Sequence, residues 1–143
     1  MSFVRILLLI GAVGLGWHEW QKHQADKIRA VADAGTSATG FVPTAMPTVA
    51  KRNVVLILAP IDCPSDAAQR ADALASELTR RGIPNERGAS FSLSLNDPSA
   101  EERAAADRAV AVLNGTIPAV FINGMGKANP SADEVAAEFT RTR

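Results

Sequence analysis

Asn53-Val54-Val55-Leu56-Ile57-Leu58-Ala59 is an uncharged, largely apolar run rich in β-branched residues, and Pro60 stops it. A run of that length without polar alternation suits a strand buried on both faces. Asp62-Cys63-Pro64 follows and is expected to open a helix, because proline suits the first helical turn, where its missing N–H would have had no partner. Ala67, Ala71, Leu74, Ala75 and Leu78 recur at one-face spacing. Arg80 and Arg81 then sit at the end that favours positive charge, and Gly82 ends the helix.

Downstream, Ile83 to Leu95 holds a weaker alternation, Phe91, Leu93 and Leu95 against Ser90, Ser92 and Ser94, which predicts a half-buried strand. Asn96-Asp97-Pro98-Ser99 is a turn, and Ser99 with Glu102 has capping-box spacing. Ala104, Ala105, Ala109, Val112 and Leu113 carry that second helix to Asn114-Gly115. Thr116-Ile117-Pro118 leads into a strand at Ala119 to Ile122, and Asn123-Gly124 is a hairpin signal that predicts a partner strand at Met125 to Ala128. Ser131 and Glu134 cap a last helix, with Val135, Ala136 and Phe139 on its apolar face. The predicted order is β-α-β-α-β-β-α: an α/β domain with a mixed four-stranded sheet and helices on both faces.

On the N-terminal side, Ile6 to Trp17 carries no charge. Phe3 to Trp20 is short for a bilayer span of about 20 residues. A cleaved signal peptide competes with an uncleaved anchor, and a buried core helix is a third option. Trp17 and Trp20 stand where a small-residue cleavage site would lie, and tryptophan suits the headgroup level, so the anchor is favoured. Residues 1–20 are thus expected to be a transmembrane helix, 21–52 a juxtamembrane helix and a Gly/Ser/Thr/Pro linker (Gly35 to Pro47), and 53–143 the domain. Lys22, Lys27 and Arg29 after the apolar core pull toward a cytoplasmic body, whereas the short basic start resembles an export signal. The expected location is a single-pass inner-membrane protein with its domain on the periplasmic side.

Composition narrows the function. The chain has 143 residues, 47% of them apolar and 21% charged, and 15 Lys+Arg balance 15 Asp+Glu. That balance leaves no electrostatic footprint for nucleic acid. One cysteine excludes an internal disulfide and a Cys-rich zinc site, and His18 and His23 fall in the N-terminal tail, so no metal site is expected.

Three features together resemble the thioredoxin-like superfamily, closest to glutaredoxins. Cys63-Pro64 follows the first buried strand. Thr116-Ile117-Pro118 before Ala119-Val120-Phe121-Ile122-Asn123-Gly124 is similar to the family's Thr-Val-Pro loop and the strand after it. A capped helix from Ser131 closes the chain. The resemblance covers about Val54 to Thr140. It implies a cis Pro118, a catalytic Cys63 supported at the helix start by Pro64, Ser65 and Asp66, and a substrate-binding loop of Thr116, Ile117 and Pro118. In that pattern the Ile117 backbone lies open beside Cys63 and pairs with an extended segment. The chain departs from the dithiol pattern at Asp66, where the second cysteine would stand, and from the monothiol pattern with Pro64-Ser65-Asp66. Glutathione would enter through the resemblance. Ser131 and Asp133 match its family site in part, but Lys127 and Asn129 are not the family's glycines, so no cofactor is expected.

Reactivity turns on the thiolate fraction of Cys63. A helix N-terminus favours the anion, while Asp62 and Asp66 disfavour it. Arg70, further along the helix, is the nearest fixed cation and is expected to face solvent. Three functions follow: monothiol thiol–disulfide exchange with a thiol or disulfide-containing protein or small thiol, a non-catalytic module binding an extended segment beside Pro118, or a membrane-complex accessory placed by its anchor.

Overall fold

Alternation within two short apolar strands sets the architecture. In β2 (Val55–Leu58) every residue is buried, with Val55 and Ile57 toward one face of the sheet and Leu56 and Leu58 toward the other. β4 (Ala119–Ile122) runs antiparallel to it, Leu56 opposite Phe121 and Ile57 opposite Val120. Helices α1 (Asp66–Arg80) and α3 (Ala132–Thr142) close the first face, where Ala71, Leu74, Leu78, Val135 and Phe139 pack on Val55, Ile57, Val120 and Ile122. Helix α2 (Ala100–Leu113) closes the second, with Ala109 and Val112 on Leu56, Leu58 and Phe121.

This computed structural model describes residues 35–62 and 64–143. The expected anchor at 1–20, the juxtamembrane residues to 34 and Cys63 lie outside the described residues. Gly35–Arg143 forms one unit. Among the described residues, no helix is long and apolar enough to cross a membrane.

The sheet is mixed, as expected, but has five strands rather than four, in the order β1-β5-β4-β2-β3. β1 is Val42–Pro43, β3 is Asn85–Gly88 and β5 is Met125–Ala128. Only β2 and β3 are parallel; the other neighbours are antiparallel. At Asn123 and Gly124, φ is +44° and +85°, the two positive values that a two-residue hairpin turn between β4 and β5 requires. Both capping boxes form: Ser99 and Ser131 accept from the backbone N–H of Glu102 and Glu134, whose carboxylates accept in return from the serine N–H groups at 2.7 and 2.8 Å.

Three expectations need correction. The strand expected within Ile83 to Leu95 forms, but not on the Phe91, Leu93 and Leu95 alternation that predicted it. β3 lies earlier, at Asn85–Gly88, where the chain comes alongside β2 after Gly82, and its Glu86 and Arg87 suit an exposed edge. Phe91 instead packs its ring against Phe121 on the α2 side, 5.5 Å between centroids. Pro64 does not begin α1 either: Ser65 is the N-cap, extended at φ −74° and ψ 151°, and its hydroxyl accepts from the Ala68 N–H at 3.3 Å. Finally, Gly35 to Pro47 is not a free linker. Phe41 is fully buried in the core, Val42 and Pro43 pair with β5, and the Thr44 N–H donates to Gly124 O at 2.8 Å.

Candidate functional site

The loop before β4 holds the predicted substrate-binding residues. Thr116 is exposed, Ile117 half-buried and Pro118 fully buried. The Ile117–Pro118 peptide bond is cis, as the resemblance implied. The carbonyls on either side of the proline nitrogen and one residue on are both engaged. Ile117 O accepts from Arg70 Nε at 3.2 Å and Nη2 at 3.1 Å, and Pro118 O accepts from the Asn129 N–H at 2.7 Å. Arg70 is exposed, as expected, and from that position its guanidinium also reaches the Ile117 carbonyl.

Arg70 stands on α1, five residues past its N-cap, so its guanidinium ties the opening turns of that helix to a loop 47 positions away. A guanidinium on a carbonyl makes charge-assisted hydrogen bonds, stronger than those between neutral groups. The predicted helix-start residues keep to this end. Asp66 occupies the first turn, where negative charge is favourable, and Pro64 O accepts from Gln69 Nε2 at 3.3 Å.

The β2–α1 connection also borders an open cleft of about 420 Å3, lined by Ile61, Asp62, Pro64, Asp72 and Arg87. Asp62 has a left-handed backbone at φ +55°, and Ile61 is half exposed at the rim. Arg87 reaches across from β3 to pair with Asp72 on α1 and to donate to Pro60 O at 3.2 Å, so it braces the connection from the sheet edge. Cys63 lies outside the described residues, while its chain neighbours Asp62 and Pro64 both line this cleft.

The sequence brought Pro64, Ser65, Asp66 and the Thr116–Pro118 loop into view, and Arg70 now links the helix of the first group to the second. It did not bring out Arg70 as the link, nor the Asp72–Arg87 brace. An exposed arginine carries no local sign of a distant carbonyl partner, and Arg87 sits on a strand that the alternation misplaced. Among the described residues, no group of three His, Cys, Asp or Glu side chains could hold a metal ion. Compared with known protein families, curated proteins and solved structures, the chain matches none.

Proposed function

We propose that this chain is a membrane-anchored protein of thioredoxin-like fold that exchanges thiols and disulfides through Cys63. One observation carries the reading: Arg70, on the helix that Cys63 precedes, binds the carbonyl of Ile117 and so draws the Thr116–Pro118 loop to that helix. The mixed sheet, with β2 and β3 parallel and helices on both faces, is compatible with it.

In this reading the Cys63 thiolate attacks one sulfur of a disulfide, forms a mixed disulfide and releases the other sulfur as thiolate. With no second cysteine in the chain, an external thiol completes the cycle. Its thiolate attacks the partner sulfur of the mixed disulfide, a new external disulfide forms, and Cys63 leaves as thiolate. The N-terminal apolar segment holds the protein in the inner membrane with the domain on the periplasmic side. There the partners are disulfide-bearing proteins or small thiols.

The test is alkylation of Cys63 by a membrane-impermeant maleimide in intact cells, in opened cells and after denaturation. Rapid labelling in intact cells, with loss of mixed-disulfide adducts in Cys63→Ser, supports exchange on the periplasmic side. Labelling only in opened cells moves the domain to the cytoplasm. Labelling only after denaturation overturns the exchange reading and leaves the competing one, a module that docks an extended segment beside Pro118.

A further inference from the structure

Asn114-Gly115 and Asn123-Gly124 are the two places in the chain where asparagine precedes glycine. Such a pair can cyclise. The glycine nitrogen attacks the asparagine Cγ, ammonia leaves, and water opens the resulting succinimide to aspartate or isoaspartate. Nothing is oxidised or reduced, and water is the one co-reactant. Glycine favours the reaction because, without a Cβ, it leaves its nitrogen unshielded and its backbone free to turn. Whether a given pair reacts then depends on whether the carboxamide is free to reach that nitrogen.

The fold treats the two pairs differently. Asn123 is half-buried in the β4–β5 turn, and its carboxamide is clasped at both ends. Oδ1 accepts from the Asn53 N–H at 2.8 Å, while Nδ2 donates to Asn53 Oδ1 at 3.1 Å and to Thr142 O and Oγ1, both at 3.3 Å. Asn114, Gly115 and Thr116 are all exposed, just past the last turn of α2. Among the described residues the Asn114 carboxamide makes no hydrogen bond, and the Gly115 nitrogen has one to give up, to Val112 O at 3.2 Å.

We infer that Asn114 is a spontaneous modification site, converting to aspartate and isoaspartate, and that the clasp from Asn53 and Thr142 preserves Asn123. Neither event depends on Cys63 or on the exchange reading. The new carboxylate stands at the C-terminal end of α2, where negative charge is unfavourable. Isoaspartate also lengthens the main chain by one carbon immediately before Gly115, which lies so close to β5 that a Cβ on it would sit 2.6 Å from the Ala128 Cβ. The modification therefore falls at the entrance to the Thr116–Pro118 loop, at a point with no slack.

The test is tandem mass spectrometry of the full-length protein aged at mildly alkaline pH, native and in urea. Trypsin releases residues 109–127, a peptide that carries both asparagines, so fragment ions compare the two sites within one molecule. In urea the two should convert at similar rates. In the native protein Asn114 should convert at least about tenfold faster than Asn123, because leaving the clasp forfeits more than one hydrogen bond of about 1 kcal/mol and 1.4 kcal/mol is a factor of ten. Equal native rates, a faster Asn123, or an Asn114 that stays intact while the urea sample converts would each overturn the assignment.

A second arm addresses the clasp. Asn53 has a φ of +58°, so Asn53→Gly keeps the backbone and its N–H donor while removing Oδ1. Conversion at Asn123 should rise about fivefold, one hydrogen bond's worth, with Asn114 unaltered. An unchanged rate at Asn123 would overturn the clasp as what protects it.

Discussion

The carboxylate of Glu138, with no exposed surface, accepts a hydrogen bond from the hydroxyl of Thr39, 99 positions earlier in the chain, at 2.7 Å. Arg141 donates to the same carboxylate from the next turn of α3, through Nε at 3.1 Å and through Nη2. From the sheet, Lys127 Nζ donates to Thr39 O and to Glu134 Oε1, both at 2.7 Å. The residues that lead into β1 are therefore held by a helix and a strand at once. They belong to the domain, on which the geometry of the β4–β5 hairpin and the loop before it depends.

Thr39→Val should lower stability by about 1–3 kcal/mol, because the hydroxyl is lost and a buried carboxylate is left a donor short. Ser37 Oγ, 2.8 Å from the Thr39 hydroxyl, is the neighbour that could soften the loss. Urea denaturation followed by near-UV absorbance of the core phenylalanines measures the change. A variant as stable as the parent would mean that the Thr39 hydroxyl adds nothing to the fold.

The same carboxylate predicts an acid response. Burial pushes the Glu138 carboxyl up, but the hydrogen bonds from Arg141, Thr39 and Ser37 and the Arg141 charge outweigh it and hold it below its ordinary value of 4.5. A group with a depressed folded pKa contributes stability that is complete above the unfolded value and lost as pH falls through the folded one. Stability should therefore decline from about pH 5 downward. Glu138→Gln should flatten that decline without removing it. Glu134 is also held low, by Lys127 and by the Ser131 N–H, and Glu102 by the Ser99 N–H and hydroxyl. Urea midpoints of parent and variant from pH 7 to pH 3 test this, and parallel curves would assign the acid response elsewhere.

What could be read in advance follows from where each element's hydrogen bonds go. β2, α1, the β4–β5 hairpin and the two capping boxes are specified by neighbours a few residues away: an apolar run, a one-face spacing, an Asn-Gly pair, a serine three residues before a glutamate. β1 and β3 are not. Val42–Pro43 is two residues long and finds its register only opposite Gly126 and Met125. Asn85–Gly88 has no apolar alternation and is a strand because β2 lies beside it. Phe91 gave a misleading signal because its ring fills a hydrophobic site on the α2 face without a strand to carry it. In the candidate site the same distinction holds. The helix start and the Thr-Ile-Pro loop were visible as local sequence, and the Arg70 bridge between them was not, being a contact between an exposed side chain and a backbone atom far along the chain.

Gly115 is required by what stands next to it. A Cβ there would lie 2.6 Å from the Ala128 Cβ and 3.2 Å from Val112 O, both unable to move without shifting β5 or the end of α2. Gly115→Ala should cost about 1–3 kcal/mol, the usual range for overpacking. Adding Ala128→Gly removes the closer clash and should recover part of the loss, whereas a double variant that is simply the sum of two losses would deny the contact.

Arg108 offers the sharpest separation between a stabilising and an incidental partner. Its side chain, 8% exposed, comes from α2 and donates through Nε to the carbonyl of Pro43 in β1, while Nη2 meets Glu101 Oε1 at 2.9 Å, and the glutamate is 82% exposed. An ion pair with one partner in open solvent is worth about 0–1 kcal/mol. A hydrogen bond from a charged donor is worth about 1.5–3 kcal/mol, and losing it leaves the carbonyl of half-buried Pro43 without that partner. Arg108→Met, which keeps the aliphatic volume, should therefore destabilise by about 2 kcal/mol, and Glu101→Gln by less than about 0.5 kcal/mol. Hydrogen exchange should show the loss of protection in Arg108→Met concentrated at the Thr44 and Ala45 N–H groups, which donate to Gly124 O and Ala105 O and seat β1 against the hairpin and α2. Comparable losses from the two substitutions would mean that the carboxylate, and not the Pro43 carbonyl, is what Arg108 serves.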